Sequence, residues 1–186
     1  MGIRILFILL HIRNNHNLLL IYLFRVMRMN GRYQWKLLFI SLLLPLAVGA
    51  LASAITGDSV LDYALMRKPP LSPPGWIFPL VWTLLYCLMG LASWLMWTSD
   101  ASYPRKKRAL RSYILQLAVN FFWPLIFFKA RLYLAAFLWL LLLWLLAAAC
   151  TLRFFCIKKT AGYTMLPYML WLSFATYLNL GVYLLN

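Results

Sequence analysis

The stretch LYLAAFLWLLLLWLLAAACTL, residues 132–152, runs from Arg131 to Arg153 without a charged side chain. At 1.5 Å of rise per residue, a helix of this length crosses about 30 Å, the thickness of the hydrocarbon layer of a bilayer. Working outward from it, four further apolar stretches of similar length occupy residues 35–55, 76–97, 110–128 and 163–185. The expected fold is therefore an all-α membrane protein, a five-helix transmembrane bundle. Composition agrees: 65% of residues are hydrophobic and 11% charged, against about half and about a quarter in a soluble domain. The segments between the later stretches are short, which forces neighbouring helices to lie antiparallel.

Residues 1–28 stand apart from residues 29–186, which hold the five spans. Two short apolar runs, residues 3–10 and 18–24, are separated by HIRNNHN (11–17), and neither is long enough to span. This extension fits a reentrant or interfacial segment, an uncleaved signal-like sequence, or upstream sequence ahead of a start at Met27 or Met29. The last is favoured, and the extension is expected to be dispensable. Between the first and second spans, residues 56–74 contain Gly57, Asp58, Asp62, Pro69, Pro70, Pro73 and Pro74. Such a stretch cannot continue a helix.

The net charge of +15 arises from 18 Lys and Arg against three acidic residues, Asp58, Asp62 and Asp100. In a soluble protein it would point to nucleic acid. Beside apolar spans the same residues set orientation and meet anionic lipid headgroups, so no nucleic-acid partner is expected. One side of the membrane receives Arg25, Arg28, Arg32, Lys36, Arg105, Lys106, Lys107, Arg108, Arg111, Arg153, Lys158 and Lys159. The other receives Arg67, Lys68, Lys129 and Arg131. By the positive-inside rule the N-terminus of residues 29–186 is cytoplasmic, and the proline-rich loop and the C-terminus are outside.

Catalytic and metal chemistry find little support. The two histidines, His11 and His16, lie in the extension, there is no glutamate, and no span contains an aspartate. No metal site is expected. Cys87, Cys150 and Cys156 lack any pairing or metal spacing. Nine tryptophans are many for 186 residues. Trp35, Trp76 and Trp97 near span ends fit an interfacial belt, whereas Trp82, Trp94, Trp123, Trp139, Trp144 and Trp171 lie deeper, where an indole N–H needs an acceptor. Gln116, Asn120 and Asn179 are polar groups at depth. Such amides either hydrogen-bond another helix or face a ligand. Pro124 and Pro167 interrupt spans three and five, freeing carbonyls of the kind that border cavities.

Three ordered motifs resemble the TspO/MBR family, the tryptophan-rich sensory or translocator proteins. KPPLSPPGWIFP (68–79) with VWTLLY (81–86) and Met89-Gly90 resembles its first loop and second helix. LQLAVNFFW (115–123) resembles its third helix, and PYMLWLSFATYLN (167–179) with Leu185-Asn186 its fifth. The resemblance covers about residue 35 to the end.

It implies a five-helix bundle, a homodimer, and a tetrapyrrole ligand such as protoporphyrin IX or a haem-related porphyrin, with no required cofactor. Trp82, Asn120, Trp171 and Ala175 match its pocket residues, and Pro74, Tyr86, Trp123 and Phe174 its lining. The implied function is a membrane receptor, sensor or transporter for tetrapyrroles. The alternative it raises is enzyme-like, light- and oxygen-dependent porphyrin degradation with Trp82 and Trp171 as the catalytic pair. A flat tetrapyrrole would use aromatic faces, a small residue such as Ala175 at its edge, Asn120 as an anchor, and Arg67 or Lys68 for its propionates. Two departures stand out: Pro79 sits where many members have glycine, and no Lys or Arg follows Tyr177 or Tyr183, so the sterol-associated pattern is missing.

Overall fold

A computed structural model describes residues 31–57, 63 and 65–186; the extension 1–28, Asp58 and Asp62 lie outside the described residues. The chain divides into two compact units, Met1–Leu37 and Leu38–Asn186, and the bundle belongs to the second. Among the described residues five helices follow one another: α1 Gly31–Thr56, α2 Ile77–Trp97, α3 Tyr103–Pro124, α4 Tyr133–Ile157 and α5 Lys159–Leu185, with a π-turn, Leu125–Lys129, continuing α3. No strand occurs among the described residues. All five helices are long and apolar enough to cross a membrane, so the protein is a multi-pass integral membrane protein.

The helices coincide with the five apolar stretches but outrun several of them. α3 begins at Tyr103 rather than at 110, α4 ends at Ile157 rather than at 152, and α5 begins at Lys159 rather than at 163. Hydropathy marks where hydrocarbon begins, while a helix continues for as long as its residues favour it. Lys and Arg are good helix formers, and Pro104 lies in the first turn of α3, where its missing N–H costs nothing. The basic runs expected in loops therefore lie on helix, and the junction of α4 and α5 shrinks to Lys158.

Within the second unit, α5 packs closely along α4 and α2, and α4 along α3. By contrast α2 and α3 approach each other at few positions, despite their short connection. On α4 the buried residues Ala136, Leu140, Leu143, Ala147, Cys150 and Phe154 recur at helical spacing, while Leu138, Leu145 and Leu152 on the other side are exposed. Both faces are apolar because one meets protein and the other lipid. α1 packs on α2 at Gly90, where an added Cβ would stand 2.6 Å from the Ser41 carbonyl oxygen and 2.8 Å from Leu42 Cα. The Ser41 carbonyl has no amide donor one turn on, since Pro45 supplies none. Pro124 does the same for the carbonyl of Asn120, and the chain beyond it widens into the π-turn, closed by Ala130 N–H donating to the Leu125 carbonyl at 2.9 Å.

Candidate functional site

Helical spacing places Phe78, Trp82 and Tyr86 along one face of α2. The gap that α2 and α3 leave between their backbones is bridged by these rings and by Trp123. Ring centroids lie 5.5 Å apart for Trp82 and Tyr86, 6.4 Å for Trp82 and Trp123, and 6.3 Å for Trp82 and Tyr168 of α5. Trp123 continues to Phe128 at 6.1 Å, and Phe128 to Tyr63 of the loop at 6.5 Å. Tyr63 meets Phe78 at 5.1 Å, and Phe78 meets Trp171 of α5 at 5.9 Å. Aromatic contacts thus run from Trp82 through α3 and the loop and back to Trp171. On α5, Trp171 adjoins Phe174 and Phe174 adjoins Tyr177, at 5.6 and 6.2 Å.

Beneath the rings lies a buried polar chain. Tyr86 donates to Asn120 Oδ1 at 2.9 Å, Asn120 Nδ2 donates to the Tyr168 hydroxyl at 2.9 Å, and that hydroxyl donates to Gln116 Oε1 at 3.0 Å. Asn120 is therefore engaged in joining α2, α3 and α5. Asn179 has the same character: its Oδ1 accepts the Trp123 indole N–H at 3.1 Å, and its Nδ2 donates to the Tyr133 carbonyl at 2.9 Å. Both amides make the interhelical bonds that polar groups at this depth require.

The deep tryptophans divide by acceptor. Trp123 bonds Asn179, Trp139 donates to the Val119 carbonyl at 2.8 Å, and Trp144 to Ser173 Oγ at 2.9 Å. Trp171 differs: its indole nitrogen is buried and has no hydrogen-bond partner. Ala175, one turn further along α5, is buried too. No ring contact joins Trp82 to Trp171 among the described residues, so each indole keeps its own neighbours.

The proline-rich segment is fastened to the end of α5. The Asn186 side chain meets Arg67 twice, accepting from its N–H at 3.1 Å and donating to its carbonyl at 2.9 Å. Tyr177 donates to the Pro70 carbonyl at 2.8 Å, and Gly181 leaves room for the Pro69 ring, which a Cβ would meet at 2.4 Å. Leu71, in the turn between the two proline pairs, takes the left-handed conformation, φ 65°. Pro74 is exposed, and its carbonyl accepts the Ile77 N–H at 3.0 Å as α2 begins. The Lys68 ammonium stands 4.7 Å from the centre of the Tyr63 ring, a cation–π arrangement. Burial pushes the Tyr63 phenol above the usual tyrosine range, so the ring under Lys68 stays neutral.

Residues 41–184 match the TspO/MBR family. The chain belongs to this family. Among its relatives, the tryptophan-rich protein TspO of Archaeoglobus fulgidus is 35% identical over 147 residues, covering 78% of this chain and 94% of the relative. The human translocator protein is 38% identical over 130 residues, 69% of this chain and 77% of its own. The tryptophan-rich sensory protein of Cereibacter sphaeroides is 37% identical over 124 residues, 67% and 76% of the two chains. The family match begins inside α1 and ends near the end of α5, so it takes in every residue of the aromatic series.

The motif residues Trp82, Tyr86, Asn120 and Trp123 converge between α2 and α3, and Trp171, Phe174 and Ala175 follow one another along α5. Sequence reasoning missed Tyr63, Phe78, Phe128 and Tyr168. The spacing of Phe78 to Trp82 and of Tyr168 to Trp171 is a usable helical signal for two of them. Tyr63 carries none, because its place depends on how a loop folds back.

Proposed function

We propose that the chain binds a flat tetrapyrrole, protoporphyrin IX or a haem-related porphyrin, inside the membrane and acts as its receptor, sensor or transporter. The observation that carries this reading is the Trp171 indole N–H, buried without a protein acceptor within a continuous aromatic series. An unsatisfied buried donor costs about 1–3 kcal/mol, which a ligand carboxylate or ring nitrogen would relieve. The rings of Trp82, Trp123, Phe78 and Phe174 supply the faces a macrocycle stacks on, and Ala175 takes up little room. Lys68 over Tyr63 brings a positive charge to the loop, suited to a propionate. Asn120 then acts by holding Tyr86 and Tyr168 around Trp82, since its amide is already engaged. The relatives' names, translocator and tryptophan-rich sensory protein, agree with carriage or sensing of a ligand. The distribution of basic residues supports a cytoplasmic N-terminal end for α1 and an outward-facing loop.

Titration of the detergent-solubilised protein with protoporphyrin IX, read by tryptophan fluorescence, tests the proposal. Saturable quenching is expected, weakened in Trp171→Phe, which keeps the ring and loses the N–H, and abolished in the double variant Trp82→Ala, Trp171→Ala. Quenching that never saturates, or that the double variant leaves unchanged, refutes it.

A further inference from the structure

At the end of the bundle opposite the aromatic series, two basic runs far apart in sequence come together. The Arg105 guanidinium, in the first turn of α3, donates to the carbonyl of Cys156 in the last turn of α4. α3 and α4 run antiparallel from that contact. One turn further in along each helix stand Arg108 and Arg153. Tyr113 of α3 stacking on Phe154 of α4, centroids 5.9 Å apart, holds this register. All three arginines are exposed. Asp100 is the only acidic side chain among the described residues, and no ion pair joins it to them. The nearby Lys106 is committed elsewhere, donating to the Trp97 and Ser99 carbonyls.

Three guanidiniums without a carboxylate repel one another, and a phosphate oxyanion is the group their planar forks match best. Further in on the same faces, at helical spacing from Arg108 and Arg153, the exposed side chains become apolar: Leu115 and Phe122 on α3, Leu142 on α4. A phosphate-binding cluster at the helix ends above an apolar face suits a molecule with a phosphodiester head and acyl chains. We propose that Arg105, Arg108 and Arg153 form a binding site for an anionic phospholipid of the adjoining leaflet, separate from the aromatic series. The proposal does not depend on the tetrapyrrole reading.

Native mass spectrometry of the full chain in detergent, with equal phosphatidylglycerol and phosphatidylcholine, provides the test. The expected result is retained phosphatidylglycerol adducts with little phosphatidylcholine. They should be lost in Arg108→Gln with Arg153→Gln and kept in Lys107→Gln with Lys159→Gln, which removes the same charge at the same end. Replacing both arginines by lysine should reduce retention at unchanged charge, so the test survives if the glutamine variant fails to fold. Equal retention of both lipids, equal loss in both glutamine pairs, or displacement by millimolar inorganic phosphate would overturn the proposal.

Discussion

Asn120 shows how one side chain can fix a bundle. Its amide oxygen and nitrogen bridge a tyrosine on α2 and a tyrosine on α5, and in a dry interior neither hydroxyl has water to turn to. Replacing it by Leu, similar in size and apolar, leaves the Tyr86 hydroxyl without its acceptor. Thermal unfolding in detergent should show a loss of about 1–2 kcal/mol, and a melt unchanged from the parent would mean that the chain contributes nothing. Tyr86 is also the ring nearest Gly49, where an added Cβ would lie 2.2 Å from its Cε2 atom. Gly49→Ala should therefore push Tyr86 aside and weaken ligand quenching through a residue on α1, remote in sequence from the motifs. Unaltered quenching with an intact fold would show that Tyr86 can yield without cost.

At the scale of elements, α1 and α2 meet where Gly90 faces main-chain atoms of α1, which cannot swing aside as a side chain can. Gly90→Ala should lower stability by about 1–3 kcal/mol, the cost of overpacking, measured as a drop in the detergent melting temperature. The fastening of the loop to α5 is of another kind, being made of exposed hydrogen bonds worth about 0.5–1.5 kcal/mol each. Asn186→Ala with Tyr177→Phe should leave the bundle's melting point nearly unchanged while trypsin cleaves after Arg67 faster than in the parent. Equal cleavage rates would show that Pro69 against Gly181 suffices to hold the segment.

For the whole molecule, the two ends differ in charge, and the orientation proposed from that difference by the positive-inside rule can be tested. Cys156 is exposed and free at the end carrying the arginine cluster, while Ser72 lies in the proline-rich segment. A membrane-impermeant maleimide should label Ser72→Cys in intact cells and Cys156 only after the membrane is opened. The reverse pattern would invert the bundle. The two proposed sites lie apart, an aromatic one under the loop and an anionic-lipid one at the opposite end, so loss of one should leave the other measurable.

Five stretches such as 132–152, long and with at most one charged residue near an end, were enough to determine the number of spans, because hydrocarbon thickness sets their length and no local competitor offers the backbone its hydrogen bonds. The ordered motifs around Trp82, Asn120 and Trp171 determined the family by the same linear means. Tertiary structure decided which face of each helix meets protein, since Leu140 inward and Leu138 outward are chemically alike when the solvent is lipid. It also decided the partners of the polar groups: that Trp123 finds Asn179 while Trp171 finds no acceptor, that Asn186 clasps Arg67, and that Arg105 reaches Cys156. Those pairings join residues 50 or more positions apart, and a distance of that kind is set by how helices stack, which no local pattern encodes.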